Sequence, residues 1–257
     1  MSDGHIEDVL ARIETDLASG DFAGRSALHF DRLIGLVPGS LTRGDFAVPP
    51  DPFKGTDQEA PADPNFHLTM FWRMFDRTPA SMIQGIAIPV RRMLAERIFR
   101  SCGEGVIFHH NVLFSRGENI RLGDGVLVNR NAMLDDRGPI DVGSYTMLAA
   151  GVTIETHTHP LDTFERPIAY AGRGTAPVRI GANSVVGYNA VVMAGSSIGY
   201  RCIVGANSVV TGDVEDYSVV GGVPARPIKQ ILPVGEDPVR AALDAGDAVR
   251  GRWMPAL

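Results

Sequence analysis

The most regular feature of the chain is a hydrophobic beat of six. From Val178 the sequence reads VRIGAN, SVVGYN, AVVMAG, SSIGYR, CIVGAN, SVVTGD, and an aliphatic residue returns at Ile180, Val186, Val192, Ile198, Val204 and Val210. Two positions before each of these stands a mostly small residue: Val178, Ser184, Ala190, Ser196, Cys202, Ser208. Six is a multiple of the strand period of two and not of the helical 3.6. Each unit therefore suits a short strand plus a turn. If three units close one triangular coil, every aliphatic residue points inward and coils stack about 4.8 Å apart, the separation of paired strands. Gly181, Gly187, Gly199 and Gly205, with Asn183, Asn189 and Asn207, are read as supplying the unusual backbone angles of tight corners. The predicted architecture is a solenoid, in which each coil buries its apolar face only against its neighbours. A β-sandwich with regular strands is the alternative, and six periods without a slip argue against it.

The beat extends upstream. Ile107 and Leu113 are six apart, three extra residues follow, and Leu122, Val128 and Leu134 resume it. Two further extras within Asp135–Pro139 precede Val142, Leu148 and Ile154. Such insertions bulge outward at corners. Fourteen inward sites, at three per coil, predict between four and five coils. The longest interruption, ETHTHPLDTFERPIAYAGRGTAPVR, separates Ile154 from Ile180. A structureless loop of this length inside a regular solenoid points to function. It carries His157 and His159, and Pro160 restricts His159 to extended conformations.

About a hundred residues precede the repeat. Ile6, Val9, Leu10, Ile13 and Leu17 predict a helix over 3–18. A weaker helix is expected over 26–37, then a Pro-rich irregular segment over 38–64. Helices are predicted over 65–77 and over 80–100, the second kinked near Pro89. Phe66, Phe71, Trp72 and Phe75 read as core, with a roof over a substrate pocket as the alternative. Beyond the repeat, Asp237 and Pro238 open a short terminal helix over 237–251, set to cap the last coil or cover a neighbouring subunit. The predicted divisions are a helical and irregular region 1–104, a β-helix 105–232 with a protruding loop 155–177, and a tail 233–257.

Composition narrows the function. A net charge of −6 over 257 residues gives no electrostatic reason for nucleic acid. Two cysteines, Cys102 and Cys202, argue against a disulfide framework. The acidic, amphipathic N-terminus is no export signal, and no apolar run reaches membrane-spanning length. A cytoplasmic protein without membrane partners is expected.

Three motifs occur in order: Thr158-His159-Pro160-Leu161-Asp162, Ile203 through Thr211 (IVGANSVVT), and Gly221-Gly222-Val223-Pro224-Ala225-Arg226. Together they resemble the hexapeptide-repeat acyltransferases, closest to the maltose, galactoside and nodulation-factor O-acetyltransferase branch, over roughly residues 105 to 230. The resemblance implies a mainly β fold, a left-handed parallel β-helix, here with an α-helical N-terminal region and a short C-terminal helix. It implies transfer of an acetyl group from acetyl-CoA to a hydroxylated acceptor, with no metal, in a homotrimer whose sites lie between subunits. His159 matches the family's general base. Imidazole titrates near neutral pH, so it can take the proton of an attacking hydroxyl without a covalent enzyme intermediate. Glu155, Asp162 or a backbone carbonyl could hold its second ring nitrogen. His157 could line the site. The family's acceptor-binding Asn looks similar to Asn129 or Asn131, followed by Asp135. The spacing is one residue shorter than the family's, so the Asn assignment stays open, and both also suit corners.

For the donor, Ala206 and Thr211 match positions along the pantetheine arm, and Arg226, with Lys229 and Arg201, would meet the nucleotide phosphate. Two departures touch the pockets: Val185 stands where the family often has an aromatic residue, and Gly212 where it commonly has a basic one. A zinc enzyme of the γ-carbonic anhydrase type needs three converging His with one pair five apart, which His109, His110, His157 and His159 lack. A non-catalytic β-helix scaffold and N-acetylation of an amino sugar are the remaining alternatives.

Overall fold

The structure is a computed structural model that describes residues 3–20, 25, 65–160, 162, 164, 165, 168 and 172–246. The segments expected over 26–37 and 38–64, and the last part of the terminal helix, lie outside the described residues.

From Ser101 the chain winds into a parallel β-solenoid with three faces. Face A stacks Ser101–Cys102, Ile120–Leu122, Ile140–Val142, Val178–Ile180 and Ser197–Ile198. Face B stacks Ile107–Phe108, Leu127–Val128, Met147–Leu148, Val185–Val186, Ile203–Val204 and Ser218–Gly221. Face C stacks Leu113–Phe114, Met133–Asp135, Thr153–Glu155, Val191–Val192 and Val209–Val210. Five coils are complete, and a sixth begins with the Ile198–Val214 bridge. The expected four to five coils fall short because Cys102, Val214 and Val220 extend the repeat at its two ends.

The inward column runs as predicted from Leu122 to Val210, and the small slots beside it are equally buried. Where a slot is polar, its hydroxyl joins successive coils: Ser184 Oγ donates to the Gly199 carbonyl at 3.0 Å and accepts from the Cys202 amide at 2.9 Å. At the first coil the register differs from expectation. Phe108 and Phe114 point inward, while Leu113 is 44% exposed. Ile107-Phe108 and Leu113-Phe114 are both apolar pairs, and a one-residue slip exchanges the faces of a strand. The corrected register also makes the first insertion two residues long instead of three.

Glycine and asparagine divide the corner work differently from the sequence reading. Asn183, Asn189 and Asn207 adopt positive φ of 57°, 54° and 57°. Gly181, Gly187, Gly199 and Gly205 do not. The first three leave room for the neighbouring coil: a Cβ on Gly181 would stand 2.5 Å from the Gly199 carbonyl carbon, and one on Gly187 2.6 Å from the Val204 oxygen.

Helices close the N-terminal mouth. They are α1 (Asp3–Ser19), α2 (Phe66–Phe75) and α3 (Gln84–Ile98), with a 3₁₀ turn at Pro79–Met82 before α3. Pro89 lies inside α3, which runs on through it as one helix. Trp72 sits on the first coil, its ring 5.3 Å from Phe108, 5.2 Å from Phe114 and 6.3 Å from Phe99. Its indole N–H donates to the Val112 carbonyl at 2.9 Å. Phe71, Trp72 and Phe75 are core. Behind them a buried pair forms, with Arg91 Nε donating to Asp76 Oδ1 at 2.8 Å. Burial pushes the Asp76 carboxyl up from its ordinary range, against the pull of Arg91.

At the far end Gly222, at φ +98°, reverses the chain, and Arg226–Gln230 returns antiparallel along Ser218–Gly221. Helix α4 (Pro238–Asp244) is capped by Asp237, whose Oδ1 accepts from the Val239 and Arg240 amides. It packs on its own chain: Tyr200 Oη donates to Asp237 Oδ2 at 3.1 Å, and Arg240 lies over the Tyr200 ring.

Candidate active site

The insertions leave the solenoid at one corner, between faces C and A, at 115–119, 136–139 and 156–177. Two acidic neighbours organise this corner. Asp136 is fully buried, and its carboxylate accepts from the amides of Ser115 at 2.8 Å, Arg116 at 2.9 Å and Gly117 at 2.7 Å. Burial pushes this carboxyl up, and those amides oppose the rise. Asp135 points the other way along the corner. It accepts from Ser115 Oγ at 2.6 Å and pairs with Arg137 Nε at 3.3 Å. Its Oδ2 lies 2.6 Å from His157 Nδ1, close enough for an ion pair but off-line for a hydrogen bond.

The protruding loop is not structureless at its base. His157–Thr158 pairs antiparallel with Gly174–Thr175. Thr156 anchors the ribbon from below: its buried hydroxyl donates to the Asp135 carbonyl at 2.6 Å and accepts from the Gly138 amide at 2.7 Å. A Cβ on Gly138 would stand 3.1 Å from Thr175 Cβ, a tight contact that Thr175 would have to ease. The ribbon brings Gly172 back beside His159, and His159 Nδ1 lies 3.1 Å from the Gly172 carbonyl. Of the partners considered for that nitrogen, the backbone carbonyl fills the place, and Asp162 is exposed. The His157 and His159 rings meet edge to face at 5.9 Å.

His159, His157 and Asp135 therefore share one corner. Asn129 and Asn131 do not join them. Both lie at the opposite edge of face C, Asn131 being four residue steps, about 13 Å of extended chain, from Asp135. Asn131 is a corner residue at φ +60°, and its Oδ1 accepts from Asn111 at 2.8 Å. Asn129 Oδ1 accepts from the next amide, Arg130.

Residues 177–212 match the family model described as the hexapeptide repeat of succinyl-transferase. The maltose O-acetyltransferase structure from Clostridium difficile 630 superposes with a TM-score of 0.58 at 30% identity, over 66% of this chain and 85% of that one. Galactoside O-acetyltransferase of Escherichia coli K12 is 31% identical over 141 residues, 55% of this chain and 68% of that one. The chain belongs to the hexapeptide-repeat acetyltransferase family. A probable acetyltransferase of Mycobacterium tuberculosis is 31% identical over 119 residues, and there the chain spans only 40% of the relative's length. A hexapeptide-repeat acetyltransferase from Vibrio cholerae, solved with acetyl coenzyme A, superposes with a TM-score of 0.55 at 26% identity, over 66% of this chain and 86% of that one.

In this hexapeptide-repeat acetyltransferase the residues expected to meet the donor are spread around the last coils. Thr211 stands at the C–A corner, on the same edge as His159. Ala206 stands at the other edge of face C, and Arg226 and Lys229 lie on the exposed return strand. Arg201 is at the third corner, 3.8 Å from Asp237, so within one chain it faces the tail instead of the others. Four residues that organise the site were not singled out by sequence: Ser115, Asp136, Thr156 and Gly172. Asp136 carried a signal, as one of two adjacent acids at an insertion. Gly172 carried none, because it acts through its carbonyl. Among the described residues no three His, Cys, Asp or Glu side chains converge as a metal site, and no helix is long and apolar enough to cross a membrane.

Proposed function

We propose that the chain is an acetyl-CoA-dependent O-acetyltransferase acting on a hydroxyl of a sugar or another small hydroxylated acceptor, with His159 as general base. The observation that carries this reading is the contact of His159 Nδ1 with the Gly172 carbonyl. A carbonyl only accepts, so the neutral ring keeps its proton on Nδ1 and turns the lone pair of Nε2 outward. The acceptor oxygen attacks the acetyl carbonyl carbon while its proton passes to Nε2. The tetrahedral intermediate collapses, the carbon–sulfur bond breaks, and the leaving sulfur takes the proton back from Nε2. An acetyl ester, the CoA thiol and neutral His159 result, and the ring is ready for another turnover. Asp135 and Ser115 hold His157 against the base and position the corner without touching the reacting atoms.

Supporting the donor assignment, one relative of this fold is solved with acetyl coenzyme A and another with coenzyme A. With the thioester at His159, Thr211 lies two coils further along the same corner. Ala206, Arg226 and Lys229 lie away from that edge and suit a site completed by a second subunit. Association is favoured by the outer side of face B. There Ile107, Leu127, Met147, Val185, Ile203 and Val219 stand in register as an apolar column along the solenoid. Under this reading the protein is a homotrimer, and sedimentation equilibrium gives three times 27.6 kDa. A monomer at that concentration would rule out a shared site.

The activity test is thiol release from acetyl-CoA across a panel of sugars and small alcohols, read with Ellman's reagent. Release that depends on one acceptor supports the reading. No release with any acceptor, together with no acetyl-CoA binding by calorimetry, removes it. The protein's own thiols stay silent in this assay. Burial pushes Cys102 up to about 12 and also raises Cys202. The thiolate is the reactive form, and at pH 8 only about 10⁻⁴ of Cys102 is thiolate at any moment, so its reaction is slowed in proportion. Native protein should give no colour over minutes, and denatured protein should give two thiols per chain. Rapid colour from native protein would contradict the raised pKa of Cys102, which is half-buried.

A further inference from the structure

A cleft of about 350 Å³ opens beneath the C-terminal end of α2, between Arg73, Asp76 and Arg77 on one side and Leu113, Phe114 and Met133 of the first two coils on the other. Its polar groups are incompletely used. The Asp76 side chain is only 5% exposed, Arg91 occupies its Oδ1, and its Oδ2 is buried, with the Asn111 amide beside the carboxylate. The exposed Arg77 guanidinium has no partner among the described residues, and Arg73 reaches only the Phe114 and Ser115 carbonyls. Because Arg91 already balances Asp76, the lining carries a net positive charge.

The cleft adjoins the catalytic corner. Met133 and Asp135 are two residues apart on one strand and project from the same side, about 7 Å apart. Phe114 precedes Ser115, whose hydroxyl holds Asp135 at 2.6 Å, and Asp135 holds His157. The cleft runs across face C, from Asn111, which bonds Asn131 at the opposite edge, to Phe114 beside Ser115 of the catalytic corner. The floor of Leu113, Phe114 and Met133 suits the apolar face of a sugar ring.

We propose that this cleft binds the anionic end, a carboxylate or a phosphate, of the hydroxylated acceptor, with Arg77 as the specificity-determining cation. That the ligand is the acceptor rests on the O-acetyltransferase reading; that the cleft takes an anionic sugar does not. Calorimetric titration of the full chain at low salt, without acetyl-CoA, compares glucuronate, glucose 6-phosphate and glucose. At least one of the two anions binds roughly tenfold or more tightly than glucose, as a charge-assisted arginine contact provides. The difference between the anions identifies the group the cleft prefers. Arg77→Gln brings the anion to within about threefold of glucose, while Arg77→Lys keeps most of the preference. Arg77 is exposed, so a thermal melt of each variant confirms that the fold is intact. Equal binding of the three sugars, no binding at all, or a ranking that survives Arg77→Gln overturns the proposal. Anion binding without acetyl transfer to any acceptor and without acetyl-CoA binding sustains the cleft and overturns the O-acetyltransferase reading.

Discussion

Replacing His159 with alanine is expected to lower kcat for acetyl transfer by about 10²–10⁴-fold, the usual contribution of a positioned general base. The KM for acetyl-CoA should move little, because the imidazole acts on the acceptor proton and binds no part of the nucleotide. The loss appears in kcat and kcat/KM together, the pattern of an interaction made only in the transition state. The fold should survive. His159 is partly exposed, and its ring makes one hydrogen bond, to the Gly172 carbonyl. Steady-state kinetics beside a thermal melt separates the two effects. An alanine variant with wild-type kcat would reduce His159 to an ordinary loop histidine and leave the proton without a base.

The second large effect concerns the mouth of the solenoid. A solenoid coil buries its inner face only against its neighbours, so the first coil needs a lid. Trp72 supplies its centre, 1% exposed, stacked edge-on against Phe108 and Phe114 and bonded to the Val112 carbonyl. Trp72→Ala removes the ring, opens a cavity and strands that carbonyl, and should cost about 3–5 kcal/mol. Urea unfolding would show the midpoint falling with the m-value unchanged. A loss below about 1 kcal/mol would mean that the helical cap packs loosely and that the solenoid stands without it.

The solenoid was legible in sequence because its signal is redundant. From Val178 to Val210 each unit repeats an inward aliphatic residue and a small slot, and both are buried in every coil. The first coil was misread by one residue because Ile107-Phe108 and Leu113-Phe114 offer two apolar choices each. Packing against Trp72 and Phe99 decides between them, and no local pattern carries that information. The corner glycines were read for their conformational freedom, whereas Gly181 and Gly187 serve the close approach of stacked coils, a contact made by residues about 18 positions later. At the site, His159 stood out through the resemblance and the proline that follows it, His157 through its place in the long interruption, and Asp135 through the resemblance alone. The Gly172 carbonyl sits 13 residues beyond His159, on the return arm of a ribbon that alternation did not mark. Asp135 was named through the resemblance, and Asp136 beside it was not. Only the fold shows that Asp136 turns inward to hold the 115–119 insertion while Asp135 turns toward His157.

The most direct test of the account follows the acetyl carbon itself. Acetyl-CoA labelled with carbon-13 at the carbonyl is incubated with the acceptor that supports thiol release, and the product is examined by NMR. The account predicts one ester carbonyl on the acceptor for each CoA thiol formed, no label on the protein, and loss of the ester signal with His159→Ala. An amide carbonyl in the product, label retained on the protein, or an ester formed equally well without the His159 imidazole would contradict it.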